Sequence, residues 1–165
     1  MSNPPPGCPL EQALTLRSEG RYGTAVAARP DLVDSLSQLT LFSDMSRPEL
    51  ESLAHTVDEE VFGEGQRVLR QGLTGSAFYV ILEGTAAIRI DGEEPWTLGP
   101  GDFFGEVSAL GGEPPTADVV AKTMLRCVVV PGPELEEFLL ERPQLLLRML
   151  RAETNRLRAA LEWRA

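Results

Sequence analysis

A mainly β fold with helices at both ends is predicted by three observations. Between residue 57 and about residue 131, turn signals recur at 63–66, 72–75, Glu83-Gly84, Asp91-Gly92 and 99–101, the rhythm of about eight short strands in a small antiparallel sandwich or barrel. The run AFYVIL is apolar on both alternating faces, as in a strand covered on two sides. Segments before and after this region instead carry apolar residues at helical spacing.

In chain order, the Pro-rich residues 1–9 read as a disordered tail. Residues 10–35 read as an N-terminal helical arm, interrupted at Gly20 and Gly23. In DLVDSLSQLTLF, Leu32, Leu36, Leu39 and Phe42 fall close to helical period. The next segment has Ser46 and Glu49 at capping-box spacing, Pro48 in the first turn, and Leu50, Leu53, Ala54 and Val57 on one face. The strands follow. AFYVIL is expected at the centre of a sheet, whereas TAAIRI alternates and is expected to turn Thr85, Ala87 and Arg89 outward. From about residue 133 the chain returns to helix, with a break near Pro143. Leu147, Leu150, Thr154, Leu157 and Leu161 then fall at a/d heptad spacing. Such a seam needs an apolar partner, either the chain's own barrel or a twin helix; a homodimer through Leu147, Leu150, Leu157 and Leu161 is the preferred reading.

Composition narrows the function. A net charge of −10 argues against a general nucleic-acid binder, because phosphate backbones are held mainly by Lys and Arg. Residues 141–165 nevertheless carry six Arg against three Glu, so a basic helix follows an acidic body. It complements that body or a twin subunit, or else meets an acidic partner protein or a membrane surface. No apolar run approaches the roughly 18 residues of a membrane span, and no signal-peptide pattern opens the chain. Cys8 and Cys127 lack the paired spacing of a zinc site or disulfide framework, so both are expected as free thiols in a cytoplasmic protein. The sole histidine, His55, lies in a helix ahead of the strands, and there is no Gly-x-Ser-x-Gly, His-Glu-x-x-His or Walker loop. An enzyme is not expected, nor a metal-binding barrel, which would need several histidines.

Three stretches, LFSDMSRPELESLA, GLTGSAFYVILEGTAAI and GDFFGEVSALGGEPPTADVVAKT, resemble in this order the cyclic-nucleotide-binding domain of cAMP-receptor proteins and protein-kinase-A regulatory subunits. The resemblance covers about residues 36–160 and implies an eight-stranded jelly roll, or double-stranded β-helix, with N-terminal and C-terminal helices. It makes residues 36–165 one domain and the third stretch a phosphate-binding cassette. The candidate ligand residues are then Gly105, Glu106, Val107, Ser108, Thr116 and Ala117. Gly105 would admit a sugar-phosphate close to the backbone, and Glu106 would accept a ribose hydroxyl. Residues 107–110 would aim backbone N–H groups at the phosphate. Gly105 also reads as a turn glycine, and Glu106 as a carboxylate kept for packing.

The family's phosphate-pairing arginine is missing. Its position falls on Pro115, or on Thr116 with a one-residue shift, and residues 90–121 contain seven acids and no Lys or Arg. Charge-assisted hydrogen bonds contribute about 1.5–3 kcal/mol each, so losing a two-pronged pair weakens phosphate binding by roughly two to three powers of ten. Asp118, if about 6 Å from a phosphate, would cost roughly 3 kcal/mol more. Replacement cations would have to come from Arg89, Arg126, Arg148, Arg151 or Arg156. The expected function is therefore a non-catalytic regulatory or interaction module that does not bind cAMP in the usual way, has no cofactor and acts through protein partners. The competing expectation is a sensor for cAMP, cGMP or another small ligand, signalling through the C-terminal helix. DNA binding is not expected, since cAMP-receptor-type regulators carry a helix-turn-helix beyond the long helix.

Overall fold

The structure, a computed structural model, describes residues 29–73 and 77–165. The expected N-terminal tail, most of the helical arm and Cys8 lie outside the described residues. The first described helix, α1 (Pro30–Ser37), runs across the boundary expected between residues 35 and 36, and Leu32, Val33 and Leu36 are buried. Helical geometry stops before Leu39, which is extended and leads into a 3-10 turn, Thr40–Phe42. The apolar pattern through Leu39 and Phe42 is thus one buried face shared by a helix and a separate tight turn. α2 (Arg47–Thr56) begins as expected: the Glu49 carboxylate accepts from the Ser46 backbone N–H at 2.6 Å and from its hydroxyl at 2.7 Å.

Eight strands follow: β1 (Asp58–Phe62), β2 (Arg67–Leu69), β3 (Ala77–Glu83), β4 (Ala86–Ile90), β5 (Glu93–Leu98), β6 (Phe103–Phe104), β7 (Asp118–Ala121) and β8 (Leu125–Pro131). A short helix, α3 (Glu106–Gly111), lies between β6 and β7, and α4 (Gly132–Leu140) and α5 (Pro143–Arg164) close the chain. The strands form two antiparallel four-stranded sheets, ordered β1-β8-β3-β6 and β2-β7-β4-β5. This is the eight-stranded jelly roll with helices at both ends.

β3 and β8 explain the two most apolar runs in the sequence. Side chains alternate across a strand. On β3, Tyr79 and Ile81 face the roll interior with Phe62, Leu98, Phe104, Leu125 and Cys127. Phe78, Val80 and Leu82 face the helices, packing with Leu36, Leu53, Leu135 and Met149. On β8, Val129 belongs to the first body and Val128 and Val130 to the second. Cys127 is a buried free thiol whose pKa burial pushes up to about 12. Burial on both faces removes any need for alternation in either strand.

β4 departs from the sequence reading. Ala87 was expected outside but is only 1% exposed. β4 lies between β5 and β7, where Ala87 stands opposite Thr97 and Val120, and the larger neighbours shield its methyl group. Gly84 follows β3 at φ +89, and only glycine fits there because a Cβ would lie 2.1 Å from the Met124 carbonyl oxygen.

Charged side chains join the helices to the first sheet. Arg29 donates to the Ala54 and Val57 carbonyls at the end of α2, at 3.2 and 2.9 Å, and pairs with Glu59 at 2.6 Å. Glu59 also pairs with Arg126 at 2.7 Å, and Arg126 reaches Glu83 at 2.9 Å. Ile81 tests the central strand. Ile81→Ala should lower stability by about 2–5 kcal/mol in urea denaturation. His55→Ala, at an exposed helix position, should change it by less than about 0.5 kcal/mol.

Candidate functional site

Phe103 and Phe104 pair with Val80 and Tyr79, bringing the end of β6 against the start of β3. The chain then turns at Gly105, where φ is +90 and a Cβ would lie 2.2 Å from the Ala77 carbonyl oxygen. That approach requires glycine whether or not a ligand binds. The turn starts α3 and sends the Glu106 side chain beneath α5.

Glu106 is the most perturbed carboxylate among the described residues. Its side chain is 12% exposed, and Oε1 lies 3.4 Å from the Arg156 guanidinium. Oε2 is buried and has no hydrogen-bond partner among the described residues. Burial pushes the Glu106 pKa up to about 7; Arg156 opposes that shift and the neighbouring Glu153 adds to it. A long pairing distance explains why desolvation prevails over the cation. Arg156 is itself heavily engaged: it bonds Glu153 at 2.9 Å, donates to the Phe103 carbonyl, and lies 4.2 Å above the centre of the Phe103 ring.

Beside this pair lies a cavity of about 740 Å³. Gly105, Glu106, Val107, Ser108, Pro115, Thr116 and Ala117 all line it, so the residues singled out in the sequence come together on one wall. Pro115 is buried, and its carbonyl accepts from the Gly72 N–H at 3.0 Å; Thr116 is exposed at the rim. Ser108 is buried at the base. Ile88, Trp96, Phe104 and Val119 add apolar surface from the roll. α5 supplies the opposite wall through Arg156, Leu157, Ala160, Leu161 and Trp163, and Trp163 meets Trp96 edge-on with ring centres 5.5 Å apart.

The cation candidates separate clearly. Arg89 pairs with Glu94, Arg126 with Glu59 and Glu83, and Arg148 with Asp44, while Arg151 is exposed. Of these five, Arg156 alone lines the cavity, and its contacts are with protein acceptors. Asp118 lies outside the cavity wall, so the repulsion expected from it is reduced: its carboxylate accepts the Gln71 N–H at 2.7 Å and lies 3.4 Å from Arg67.

Arg156 on the C-terminal helix was a candidate from the sequence, but the apolar part of the α5 wall was missed. Trp96 and Trp163 gave no local signal of their meeting, because they come from distant segments. Helical spacing from Leu145 and Met149, both buried, through Arg156 to Trp163 was the available clue that one α5 face lies on the body. The heptad-spaced Leu147, Leu150, Leu157 and Leu161 are exposed. Among the described residues no helix is long and apolar enough to cross a membrane.

Comparisons with known proteins agree with this architecture. The cGMP-dependent protein kinase egl-4 of Caenorhabditis briggsae is 34% identical over 97 residues, covering 55% of this chain and 13% of the kinase. The cAMP-bound PfPKA-R structure is 23% identical with a TM-score of 0.72, over 82% of this chain and 47% of that one. The regulatory subunit of a cAMP-independent protein kinase A from Trypanosoma brucei is 27% identical with a TM-score of 0.65, over 77% of this chain and 47% of that one. A variant of that subunit, in which glutamate becomes alanine, threonine becomes arginine and valine becomes alanine, is bound to cAMP; it matches with a TM-score of 0.56 at 25% identity, over 76% of this chain and 52% of that one. The chain thus spans about half or less of these relatives. The sequence model of the cyclic nucleotide-binding domain matches residues 59–142, just over half of the chain, and this protein belongs to that family.

Proposed function

We propose that this chain is a non-catalytic regulatory module whose nucleotide pocket has lost its grip on phosphate, and which acts through α5 on protein partners. Membership of the cyclic nucleotide-binding family supplies the regulatory class. The observation that carries the finer reading is a retained cavity with Pro115 and Thr116 where the family resemblance places an arginine. Arg156 does not replace it, being engaged by Glu106, Glu153 and the Phe103 carbonyl. The Trypanosoma brucei pair supports this reading: the subunit is described as belonging to a cAMP-independent kinase, and the variant bound to cAMP gains an arginine. We place α1 within the folded unit, since it contributes to the core. The protein is expected in the cytoplasm.

α5 is the output element in this reading. Past Met149 it is held on the body by Arg156 and by the Trp96–Trp163 contact, while Leu147 and Leu150 remain exposed and clear of the cavity for a second copy of the chain; Leu157 and Leu161, which also border the cavity, extend that seam. The competing reading is a ligand sensor built on the same pocket, favoured by the size of the cavity.

Titration calorimetry with cAMP and cGMP should give no binding heat at sub-millimolar ligand, and low-micromolar affinity for either would overturn the proposal. The double change Pro115→Arg with Thr116→Ala should raise cAMP affinity by roughly two powers of ten. Light scattering at tens of micromolar should report a dimer that Leu150→Glu converts to monomer. Glu106 sets a pH signature. Its folded-state pKa of about 7 lies above the ordinary 4.5, so the stability it contributes is fully present below about pH 4.5 and is lost as pH rises through 7. Relative to Glu106→Gln, the wild-type protein should lose on the order of 3 kcal/mol across that interval. Parallel melting profiles for the two proteins would contradict this.

A further inference from the structure

We propose that the cavity between the roll and α5 takes an uncharged, largely aromatic or alicyclic small molecule and discriminates against anions. This rests on the reading that the cassette has lost its phosphate grip, and it names the kind of ligand that suits what remains. At about 740 Å³ the cavity has the size of a small-molecule site. Ile88, Trp96, Phe104 and Val119 on one side and Ala160 and Trp163 on the other give it apolar walls. A molecule lying there gains by leaving water on both faces.

Charge decides among ligand classes. The acids on the wall are Asp102, Glu106 and Glu153, against Arg156 and Arg164. Arg156 is held by two of those carboxylates and the Phe103 carbonyl, and Arg164 is exposed at the helix end, where water screens it. An anion entering would leave water beside the Asp102 and Glu153 carboxylates with, among the described residues, no unengaged cation deep in the cavity, which is unfavourable. A cation would gain little, because Glu106 and Glu153 already face Arg156. An uncharged molecule meets neither penalty. Because both walls contribute, such a ligand also ties α5 to the roll beyond Met149.

Both tryptophans of the chain line the cavity, so intrinsic fluorescence reports on it. N-phenylnaphthylamine is uncharged, and anilinonaphthalenesulfonate has a closely related aromatic skeleton bearing one negative charge. With the full chain at pH 7, the uncharged probe should bind saturably at one site with a Kd on the order of 10 μM, and show energy transfer from tryptophan. The sulfonate should bind at least about tenfold more weakly. Ala160→Trp and Thr116→Trp fill the cavity from opposite walls, and each should weaken the uncharged probe about tenfold or more while circular dichroism confirms a folded protein. Naphthylmethanol should displace the probe at lower concentration than naphthylmethylammonium. The inference is overturned by equal or tighter binding of the sulfonate, by unsaturable binding, by insensitivity to both tryptophan variants, or by preference for the ammonium compound. Absence of probe binding alongside absence of cAMP heat would remove this inference and leave the proposed loss of phosphate binding intact. Low-micromolar cAMP binding would instead remove that earlier reading.

Discussion

Burial of β3 and β8 on both faces is the constraint from which the rest of the molecule follows. One face of the pair builds the roll interior and the other the floor on which α1, α2, α4 and the start of α5 pack. A one-residue slip in either strand would exchange the side chains of two differently shaped cores, so the register is held from both directions. The pocket inherits that fixity. Phe103 and Phe104 are placed by pairing with Val80 and Tyr79, and the approach of Gly105 to the Ala77 carbonyl determines where α3 begins. The position of Glu106 is therefore a consequence of strand packing before it is a property of any ligand.

This dependence limits what the retained cassette signifies. Gly105 would be demanded at its position in a protein that bound nothing. Pro115 closes a contact with Gly72. The residues with the strongest look of a binding motif thus also serve the fold, and the discriminating information lies in the charges. On that count the segment from residue 90 to 121 is acidic throughout, and the guanidinium that reaches the cavity is committed to neighbouring protein groups.

Much of the architecture was legible because it is written in local patterns. Glycine-marked turns separated the strands, the Ser46–Glu49 pair marked the start of α2, and the uninterrupted apolar character of AFYVIL foretold a strand covered twice. Ala87 was misread because alternation reports which face a side chain takes, while its burial depends on the bulk of neighbours from other strands. The near side of the pocket was visible as one contiguous segment. The far side was not, since Glu106 with Arg156 and Trp96 with Trp163 are meetings between residues 50 and 67 positions apart, and spacing within either segment carries no trace of them. The basic character of residues 141–165 was visible, and its partial use in holding α5 to the acidic body through Asp44 and Glu106 required the fold.

The end of α2 carries a consequence for the order in which the chain assembles. A helix ordinarily leaves its last carbonyls to water or to residues just beyond it. Here the Ala54 and Val57 carbonyls are met by Arg29, 25 and 28 positions earlier, and the same guanidinium is steadied by Glu59 at the opening of the first strand. The terminus of α2 is thus completed from outside the helix, by Arg29 at the N-terminal end of α1. Without that guanidinium those carbonyls would depend on solvent, so the end of α2 is secured only once α1 and α2 have packed together.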